Sequence, residues 1–401
     1  MIERRAHLYR LYPTAAQDVV LGQWVGAVRF VYNLALEQRR DWWRPDRRFD
    51  SVGQCRELTA LRAEVDWIRA VPAQSLQQAL RDLEAAHRNW WAGRAGMPRP
   101  RKRGENDAMR FPDPAAFALQ RLSRHWGEVK LPKLGWVRFR WSRDVPGSPR
   151  NLTVSRRAGQ WFVAVQWEHE VAEPAPSTLP AVGIDLGVRV FAALSDGTQI
   201  APANEGQRAA RALARAQRRL TRKRRGSSNR RKAAARVARL HARVANARKD
   251  FLHKHSTAIA KNHGVVVVED LRVRNMVRSA AGTAEAPGRN VRAKAGLNRA
   301  ILDQGWGMFR TMLSYKLAAR GGRLIAVDPR NTSRTCRACG HVAAESRNGL
   351  RFVCVGCGHA AHADTNAAAN ILERARGTRL LSVEASGHRA EEAGTTGGHI
   401  A

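Results

Sequence analysis

Hydrophobic and polar positions follow two different periods along the chain, and after a short alternating run the first hundred residues follow the helical one. A short alternating run over 6–12 predicts a strand, and Thr14 with Gln17 three residues later forms a capping box, a signal for the start of a helix. Apolar residues then recur at spacings of three and four on one helix face: Val20, Trp24, Val28, Val31 and Ala35. With further helical periodicity over 52–64 and 73–91, this region is predicted to be a helical bundle.

Residues 108–170 change to the period of two that is typical of strands. Runs over 128–131, 136–141 and 161–167 are divided by Gly, Pro and Asp, which predicts a β unit. Arg and Lys alternate there with aromatic residues, as expected of a barrel that faces nucleic acid. An ordinary solvated outer face explains the same alternation, so both interpretations stay open.

Two segments lack any long pattern. Residues 173–180 contain three prolines and are predicted to be a linker, with a domain boundary where the architecture changes. Residues 377–401 are rich in Gly, Thr, Ala, His and Glu and are predicted to be a flexible tail.

The charge of the chain is strongly one-sided. Its 70 Lys and Arg against 34 Asp and Glu give a net charge of +36. Nucleic acid is the expected partner, because each neutralised phosphate releases a condensed counterion. An anionic membrane is the rival, but no apolar run approaches the ~18 to 20 residues that span a bilayer. Since the N-terminus has no apolar signal segment, a cytoplasmic, nucleoid-associated protein is expected.

The positions of four tryptophans and of Cys55 allow more than one structural interpretation. Adjacent tryptophans can stack on bases, but burial in a helical bundle is commoner and is the prediction for Trp42, Trp43, Trp90 and Trp91. Cys55, which is outside either cysteine pair, is expected to be a small buried side chain.

Two acidic positions occur in apolar strand sequences. Asp185 lies between apolar runs, where a carboxylate is costly unless it is paired, hydrogen-bonded or bound to a metal ion. An Asp at a turn of an edge strand is an equal alternative. Four valines then predict a buried strand that ends in Glu269 and Asp270. Because neighbouring strand side chains face opposite ways, one of the two can point toward Asp185, and Asp270 is expected to cap the next helix.

A third acid, Asp364, precedes an alanine-rich helical sequence whose small side chains allow close approach to a sheet. Read alone, this residue is a helix N-cap. Its place just after a cysteine cluster, in a chain with two other such acids, makes it the third candidate ligand of a metal site.

The cysteine cluster consists of two CxxC pairs separated by 14 residues: Cys336, Cys339, Cys354 and Cys357. This spacing is close to that of four-cysteine zinc sites, and Gly340 and Gly358 fit the tight turns of a zinc ribbon. In a reducing compartment such pairs bind metal sooner than they form disulfides. The sequence therefore predicts a structural zinc ion without a catalytic role.

Between the first two acids, residues 205–255 are dominated by basic runs. Gly226-Ser227-Ser228 interrupts them, which predicts a basic helical hairpin. A charge run is usually a solvated face, but one so unbalanced repels itself unless phosphates are near, so nucleic-acid binding is favoured. The candidate contacts are Arg218, Arg219, Arg222, Lys223, Arg224, Arg225, Arg230, Arg231 and Lys232.

Together these motifs resemble the TnpB family, RNA-guided nucleases of insertion sequences that are related to compact type V CRISPR effectors. Many relatives have His-Asp-Arg-Asp where this chain has Ala361-His-Ala-Asp364, which keeps the acid and lacks its charged neighbours. The resemblance spans most of the chain and rests on 9–14, 29–33, 183–187, 250–254, 268–271, 327–333, the four cysteines and 366–371.

The resemblance implies a multidomain α+β fold. Its parts would be a wedge-like β-barrel (1–10 and 108–172) with an inserted helical recognition bundle (11–107), followed by an RNase H-like (RuvC) α/β nuclease domain (181–330 and 361–376). A four-cysteine zinc ribbon (331–360) that binds the target nucleic acid would interrupt the nuclease domain.

The resemblance also implies a chemistry. Asp185, Glu269 and Asp364 would be RuvC carboxylates holding two Mg²⁺ ions, or Mn²⁺ in their place, with Asp185 shared between the ions. The order Asp, Glu, Asp differs from the Asp, Asp, Glu of cut-and-paste transposases and favours a nuclease. A guide RNA would select target double-stranded DNA beside a short flanking element, with one protein monomer for each RNA. A compact type V CRISPR effector and a catalytically inactive RNA-guided DNA-binding protein are the alternatives.

Overall fold

The computed structural model describes residues 2–41, 50–105, 107–144 and 147–377. The chain forms two compact units, Met1–Ala172 (unit 1) and Glu173–Ala401 (unit 2). The predicted tail lies outside the described residues except for Gly377, the last residue of a helix, and Trp42 and Trp43 lie outside them too.

Unit 1 is an antiparallel sheet with helices between its first and second strands in the sequence. Its strand order is β2-β6-β7-β1-β5-β4-β3, so the N-terminal strand lies in the middle of the sheet. The elements are β1 (Ile2–Tyr12), α1 (Ala15–Asp41), α2 (Ser51–Glu64), α3 (Asp66–Arg69), α4 (Ala73–Trp91), β2 (Ala108–Phe111), a 3-10 turn (Pro114–Ala116), β3 (Ala118–Arg121), β4 (Trp126–Leu131), β5 (Gly135–Arg140), β6 (Ser148–Arg157) and β7 (Gln160–Glu170).

Helix α1 begins as its sequence predicts. The Thr14 amide donates to Gln17 Oε1 at 3.0 Å and the Gln17 amide to Thr14 Oγ1 at 3.3 Å, which confirms the capping box. The predicted apolar face lies in the core of unit 1. Within the described residues, α1 is also the one helix long and apolar enough to cross a membrane, which corrects the expectation that no such run exists. Because one face of α1 is buried in the core of unit 1, we interpret it as a core helix. Such a helix can be as long and as apolar as one that crosses a membrane.

The second tryptophan pair is exposed, so its predicted burial is wrong. Trp90 is 38% and Trp91 65% exposed. Both follow His87, the last buried residue of α4, and lie in the final turn of that helix. Cys55 is half-buried against the core of unit 1 and not fully buried as expected.

Unit 2 contains a five-stranded mixed sheet in the order β10-β9-β8-β11-β12 and a small sheet β13-β14-β15. In the larger sheet β8, β11 and β12 are parallel, while β9 and β10 form an antiparallel extension. The elements are β8 (Ala181–Leu186), β9 (Ala192–Leu194), β10 (Gln199–Ile200), α5 (Glu205–Thr221), α6 (Ser228–Asn262), β11 (Val265–Glu269), α7 (Val273–Met276), α8 (Val291–Gln304), α9 (Trp306–Ala318), β12 (Arg323–Val327), β13 (Arg347–Asn348), β14 (Arg351–Val353), β15 (Ala360–His362) and α10 (Ala363–Gly377).

Helix α10 packs directly on β8 because that strand contains a glycine. A Cβ on Gly183 would lie 2.1 Å from the carbonyl oxygen of Ala368 and 2.8 Å from the amide nitrogen of Leu372. Ala367 and Ala368 are buried in the helix. The close approach expected of the alanine-rich helix is therefore confirmed, and it depends on small residues in both elements.

Helices α5 and α6 pack against each other as a long hairpin. Asp303 of α8 holds its base, since its carboxylate accepts from the amides of Gly206 at 3.0 Å and Gln207 at 3.2 Å. Arg248 of α6 pairs with the same carboxylate at 2.5 Å. The half-buried carboxylate of Asp303 thus connects the start of α5 to the middle of α6.

Candidate active site

The three acids selected from the sequence meet at one end of the larger sheet of unit 2. Asp185 is the next-to-last residue of β8, and Glu269 is the last residue of β11, which runs parallel to it. Asp364 lies in the first turn of α10, the helix that packs on β8. The charges of Glu269 and Asp364 both act on Asp185, so the fold brings together residues that are far apart in the sequence.

Burial and like charge decide the electrostatics of this carboxylate cluster. Burial above all, and then the neighbouring charges of Glu269 and Asp364, raise the pKa of Asp185 to about 7, against a smaller opposing effect of Arg347. Burial also raises the pKa of Glu269, while a hydrogen bond from Thr332 lowers it. Half-buried carboxylates so close together need protons or cations for balance. Their oxygens are the ligands that Mg²⁺ prefers in proteins.

Two further residues belong to the cluster, and sequence reasoning did not single them out. Arg347 Nη2 of β13 lies 2.8 Å from Asp364 Oδ1, and the hydroxyl of Thr332, a buried residue, donates to Glu269 Oε1 at 2.5 Å. Thr332 lies within the 327–333 motif, which could have drawn attention to it. No local pattern in the sequence links Arg347 with Asp364.

Asp270 has a different role from the one expected. Its carboxylate pairs with Arg310 Nη1 of α9 at 2.7 Å, and the following helix α7 has no side-chain cap, so the predicted capping role is wrong. The alternation of strand side chains still holds, because Glu269 and not Asp270 acts on Asp185.

The four cysteines form a second cluster. Cys336 Sγ lies 3.7 Å from Cys357 Sγ, and Cys339 Sγ lies 3.6 Å from Cys354 Sγ. Four sulfurs around one zinc ion at its usual bond length would be ~3.8 Å apart, so the arrangement fits a tetrahedral ion. Among the described residues, this is the one group of three or more His, Cys, Asp or Glu whose ligand atoms all lie within 4.8 Å of one another. The three carboxylates do not meet that distance.

Buried asparagines connect the two clusters. Asn366 and Asn370 of α10 both donate from Nδ2 to the carbonyl of Thr335, at 2.8 and 2.7 Å. Asn370 also donates to the carbonyl of Thr332 at 2.9 Å. The turn that leads into Cys336 is therefore fastened to the helix of Asp364, and the same turn supplies the hydroxyl that reaches Glu269.

The predicted basic contacts of the hairpin are exposed, with one exception. Arg230 is half-buried, and its Nη1 donates to the carbonyls of Leu220 and Lys223, both at 3.1 Å, which closes the end of α5. The exposed residues are Arg218, Arg219, Arg222, Lys223, Arg224, Arg225, Arg231 and Lys232.

The larger sheet of unit 2 is mixed and five-stranded, with acids at the ends of β8 and β11 and in the helix packed on β8, so unit 2 is an α/β domain with a carboxylate site at the ends of its parallel strands. Over 372 residues the chain is 44% identical to the "Putative RNA-guided DNA endonuclease InsQ" of Escherichia coli (strain K12), covering 92% of this chain and 91% of that protein. It is 38% identical to a "Putative RNA-guided DNA endonuclease" of Streptomyces pristinaespiralis, covering 92% and 89%. The chain belongs to the TnpB family.

Family models match separate parts of the chain. They are described as "Probable transposase" (164–280), "Cas12f1-like, TNB domain" (306–371) and "Helix-turn-helix domain" (1–48). The last was not foreseen, and the described part of that segment forms strand β1 and the single helix α1. A cryo-EM structure of a Cas12f1-sgRNA-target DNA complex shares the fold, with a TM-score of 0.54 at 13% identity and coverage of 92% of this chain and 98% of that chain.

Proposed function

We propose that this protein is an RNA-guided DNA endonuclease encoded by a transposon, and that it hydrolyses target DNA at Asp185, Glu269 and Asp364. Relatives that are 44% and 38% identical to this chain, over 91% and 89% of their own length, are named putative RNA-guided DNA endonucleases. The observation that carries the proposal is the carboxylate cluster, in which burial, and then the neighbouring charges of Glu269 and Asp364, raise the pKa of Asp185 to about 7. Such a site favours cations, as a metal-dependent nuclease requires.

The carboxylate oxygens of these residues would hold two divalent cations, Mg²⁺ or Mn²⁺. Bound there, the ions would supply an activated water and neutralise charge on the scissile phosphate. Thr332 holds Glu269 Oε1, which leaves Oε2 for the metal site. Arg347 engages Asp364 through one nitrogen and keeps further N–H donors, which suit the anionic phosphate.

We assign the remaining parts of the chain to nucleic-acid binding. The sheet of unit 1 (1–10 and 108–172) would be the wedge-like barrel and the helices between (11–107) the recognition bundle. The segment 331–360 would be a zinc ribbon that contacts target DNA, which the match to a TNB domain over 306–371 supports. The exposed cations of the hairpin would contact phosphates of the guide RNA or target DNA.

The experiment is DNA cleavage by the protein with its RNA, for Asp185→Ala, Glu269→Ala and Asp364→Ala separately. Each variant is expected to lose cleavage in Mg²⁺ and Mn²⁺ while still binding nucleic acid. Asp270→Ala is the matched control, since this neighbouring acid pairs with Arg310 and should be dispensable. Wild-type cleavage by any of the three variants would remove that residue from the site. A wild-type protein that binds RNA and DNA yet never cuts would support the inactive alternative.

A compact CRISPR effector is the second candidate, because the fold is shared with a Cas12f1 complex. Sequencing the RNA that is recovered with the protein, expressed from its own locus, separates the two. A guide from the transposon end is expected, and a repeat-derived guide would favour the second candidate. Random degraded RNA, with cleavage unaffected by added guides, would contradict RNA guidance.

A further inference from the structure

The hydroxyl of Thr332 has two acceptors within reach and a single proton to donate. Glu269 Oε1 lies 2.5 Å from Thr332 Oγ1, and the carbonyl oxygen of Pro329 lies 3.1 Å from it. The bond to an ionised carboxylate is the stronger of the two, but only while distance and angle suit it. The position of the Thr332 main chain therefore decides whether the proton goes to the candidate metal ligand or to a carbonyl of its own turn.

The turn that contains Thr332 is held together at another carbonyl. Residues 330–334 form this turn, in which Asn331 has a left-handed backbone with φ of 62°. The Asn331 carbonyl accepts from the amides of Arg334 and Thr335, both at 3.0 Å. The carbonyl of Thr332 accepts from outside the turn, from a side chain of helix α10. The place of Thr332 thus depends on this helix.

Asn370 is the residue of α10 that holds the turn. Its Nδ2 donates to the carbonyl of Thr332 at 2.9 Å and to the carbonyl of Thr335 at 2.7 Å. A side-chain amide has two N–H donors, so both are used on this one turn. Asn370 is 9% exposed and belongs to the same helix as Asp364. One buried side chain therefore ties the turn of Thr332 to the helix that supplies another carboxylate.

The two buried asparagines of α10 divide this segment between them. Asn366 also donates to the Thr335 carbonyl, and its Oδ1 accepts from the amide of Arg337 at 3.1 Å. These contacts lie on either side of the first zinc-binding cysteine. Asn370 is the one of the pair whose amide donates to the carbonyl of Thr332. Loss of Asn370 should therefore affect Thr332 while Asn366 still holds the approach to the cysteines.

We propose that Asn370 is a positioning residue for the carboxylate site, acting on Glu269 through Thr332. By fixing the Thr332 carbonyl, it keeps the hydroxyl of that residue on Glu269 Oε1 and leaves Oε2 to face the metal site. The inference rests on the proposed function, because it requires that Glu269 binds a divalent cation. If Asn370 served stability alone, its loss would lower the unfolding temperature and leave cation binding by the folded protein unchanged.

The test is Mn²⁺ titration of the full-length protein, followed by electron paramagnetic resonance well below the unfolding temperature. Asn370→Leu has a similar volume but no donors, and it should bind Mn²⁺ about tenfold more weakly. Asp185→Ala measures Mn²⁺ that binds elsewhere. The Mn²⁺ concentration for half-maximal DNA cleavage should rise by the same factor, while the rate at saturating Mn²⁺ stays close to that of the wild-type protein. Zinc should remain stoichiometric.

The matched control is Gln304→Leu in α8. It removes an amide that is 3% exposed and donates to Asn204 Oδ1, so it should also lower the unfolding temperature. Its affinity for Mn²⁺ should equal that of the wild-type protein. Asn370→Ala, which loses the donors without adding bulk, replaces Asn370→Leu if the leucine variant does not fold.

A double variant identifies the route of the effect. If Asn370 acts through the Thr332 hydroxyl, adding Asn370→Leu to Thr332→Val should leave the Mn²⁺ affinity at the value of Thr332→Val alone. Two losses that multiply would overturn this route, and wild-type affinity in Asn370→Leu would overturn the positioning role. If Asp185→Ala bound Mn²⁺ as well as the wild-type protein does, the proposed metal site itself would be contradicted.

Discussion

At the scale of single residues, the carboxylates of the candidate site oppose folding when no cation balances them. In the folded chain the pKa of Asp185 is about 7, against an ordinary value of 3.8. Because its pKa is raised on folding, the Asp185 carboxyl stays protonated up to a higher pH in the folded state than in the unfolded state. The stability that goes with the protonated Asp185 carboxyl is fully present below pH 3.8 and is lost as the pH rises through about 7.

Asp185→Asn should therefore stabilise the metal-free protein in a pH-dependent way. The amide of Asn does not ionise, so it does not lose this stability as the pH rises. The gain in the free energy of unfolding over the wild-type protein should be small at pH 4 and reach at most ~4 kcal/mol above pH 7. Thermal unfolding without added Mg²⁺ or Mn²⁺ across this range measures it, with Asp270→Asn as the control. A gain that does not depend on pH would contradict the assigned cause, and added Mg²⁺ should stabilise only the protein that keeps the aspartate.

Thr332 offers a second test at this scale. Thr332→Val has nearly the same shape but cannot donate to Glu269, so the carboxylate should lose its fixed orientation. We expect ~10- to 100-fold weaker metal affinity, as is usual for outer-shell partners of metal ligands. Thr332→Ser keeps the hydroxyl and should restore most of it. The metal concentration for half-maximal cleavage and direct Mn²⁺ titration both measure this, and identical values for Val and Ser would exclude the positioning role.

At the scale of elements, the contact of α10 with β8 decides where Asp364 lies. In Gly183→Ala the new methyl group would meet the Ala368 carbonyl oxygen at 2.1 Å, so the helix must move away from the strand. Both the unfolding temperature and DNA cleavage should fall. Gly296→Ala, in α8 with nothing within 4 Å, is the matched control and should be neutral or stabilising. Equal behaviour of the two variants would contradict the close packing.

The four-cysteine segment is a second element whose structural role can be tested by substitution. Cys354→Ser should release the zinc ion and loosen 331–360, since so short a segment has little core of its own. Cleavage should also fall, because this region supplies Thr332 and Arg347 to the carboxylates. Metal analysis and limited proteolysis follow the change, and Cys55→Ser, outside the cluster, is the control. The assignment fails if zinc is not stoichiometric or if Cys354→Ser keeps full activity and stability.

At the scale of the whole molecule, a net charge of +36 makes nucleic-acid binding depend on salt. Replacing Arg222, Lys223, Arg224 and Arg225 together by Gln should weaken RNA binding. The slope of log K against log salt should become shallower by ~0.7 to 0.9 for each phosphate that is no longer neutralised. Matched and scrambled RNA should lose affinity equally, because cations that bind phosphates read no sequence. An unchanged slope would show that these exposed cations do not bind the backbone.

Local patterns carried much of the fold and the site. The capping box of α1, its apolar stripe and the spacing of the four cysteines depend on residues close in sequence, so all could be predicted. The carboxylates could be selected because Asp185 and Glu269 interrupt or end apolar strand runs. In each case the physical signal, a helical period, a cysteine spacing or a costly acid in a strand, is contained in one continuous segment of the chain.

Only the tertiary structure decided which distant residues meet. The exposure of Trp90 and Trp91 depends on how far the core extends along α4, which periodicity does not record. The pairing of Asp270 with Arg310 and the contacts of Arg347 and Thr332 with the carboxylates join separate elements. Such contacts arise from how helices and strands pack, and a side chain's own sequence neighbours hold no information about the partner that packing brings to it.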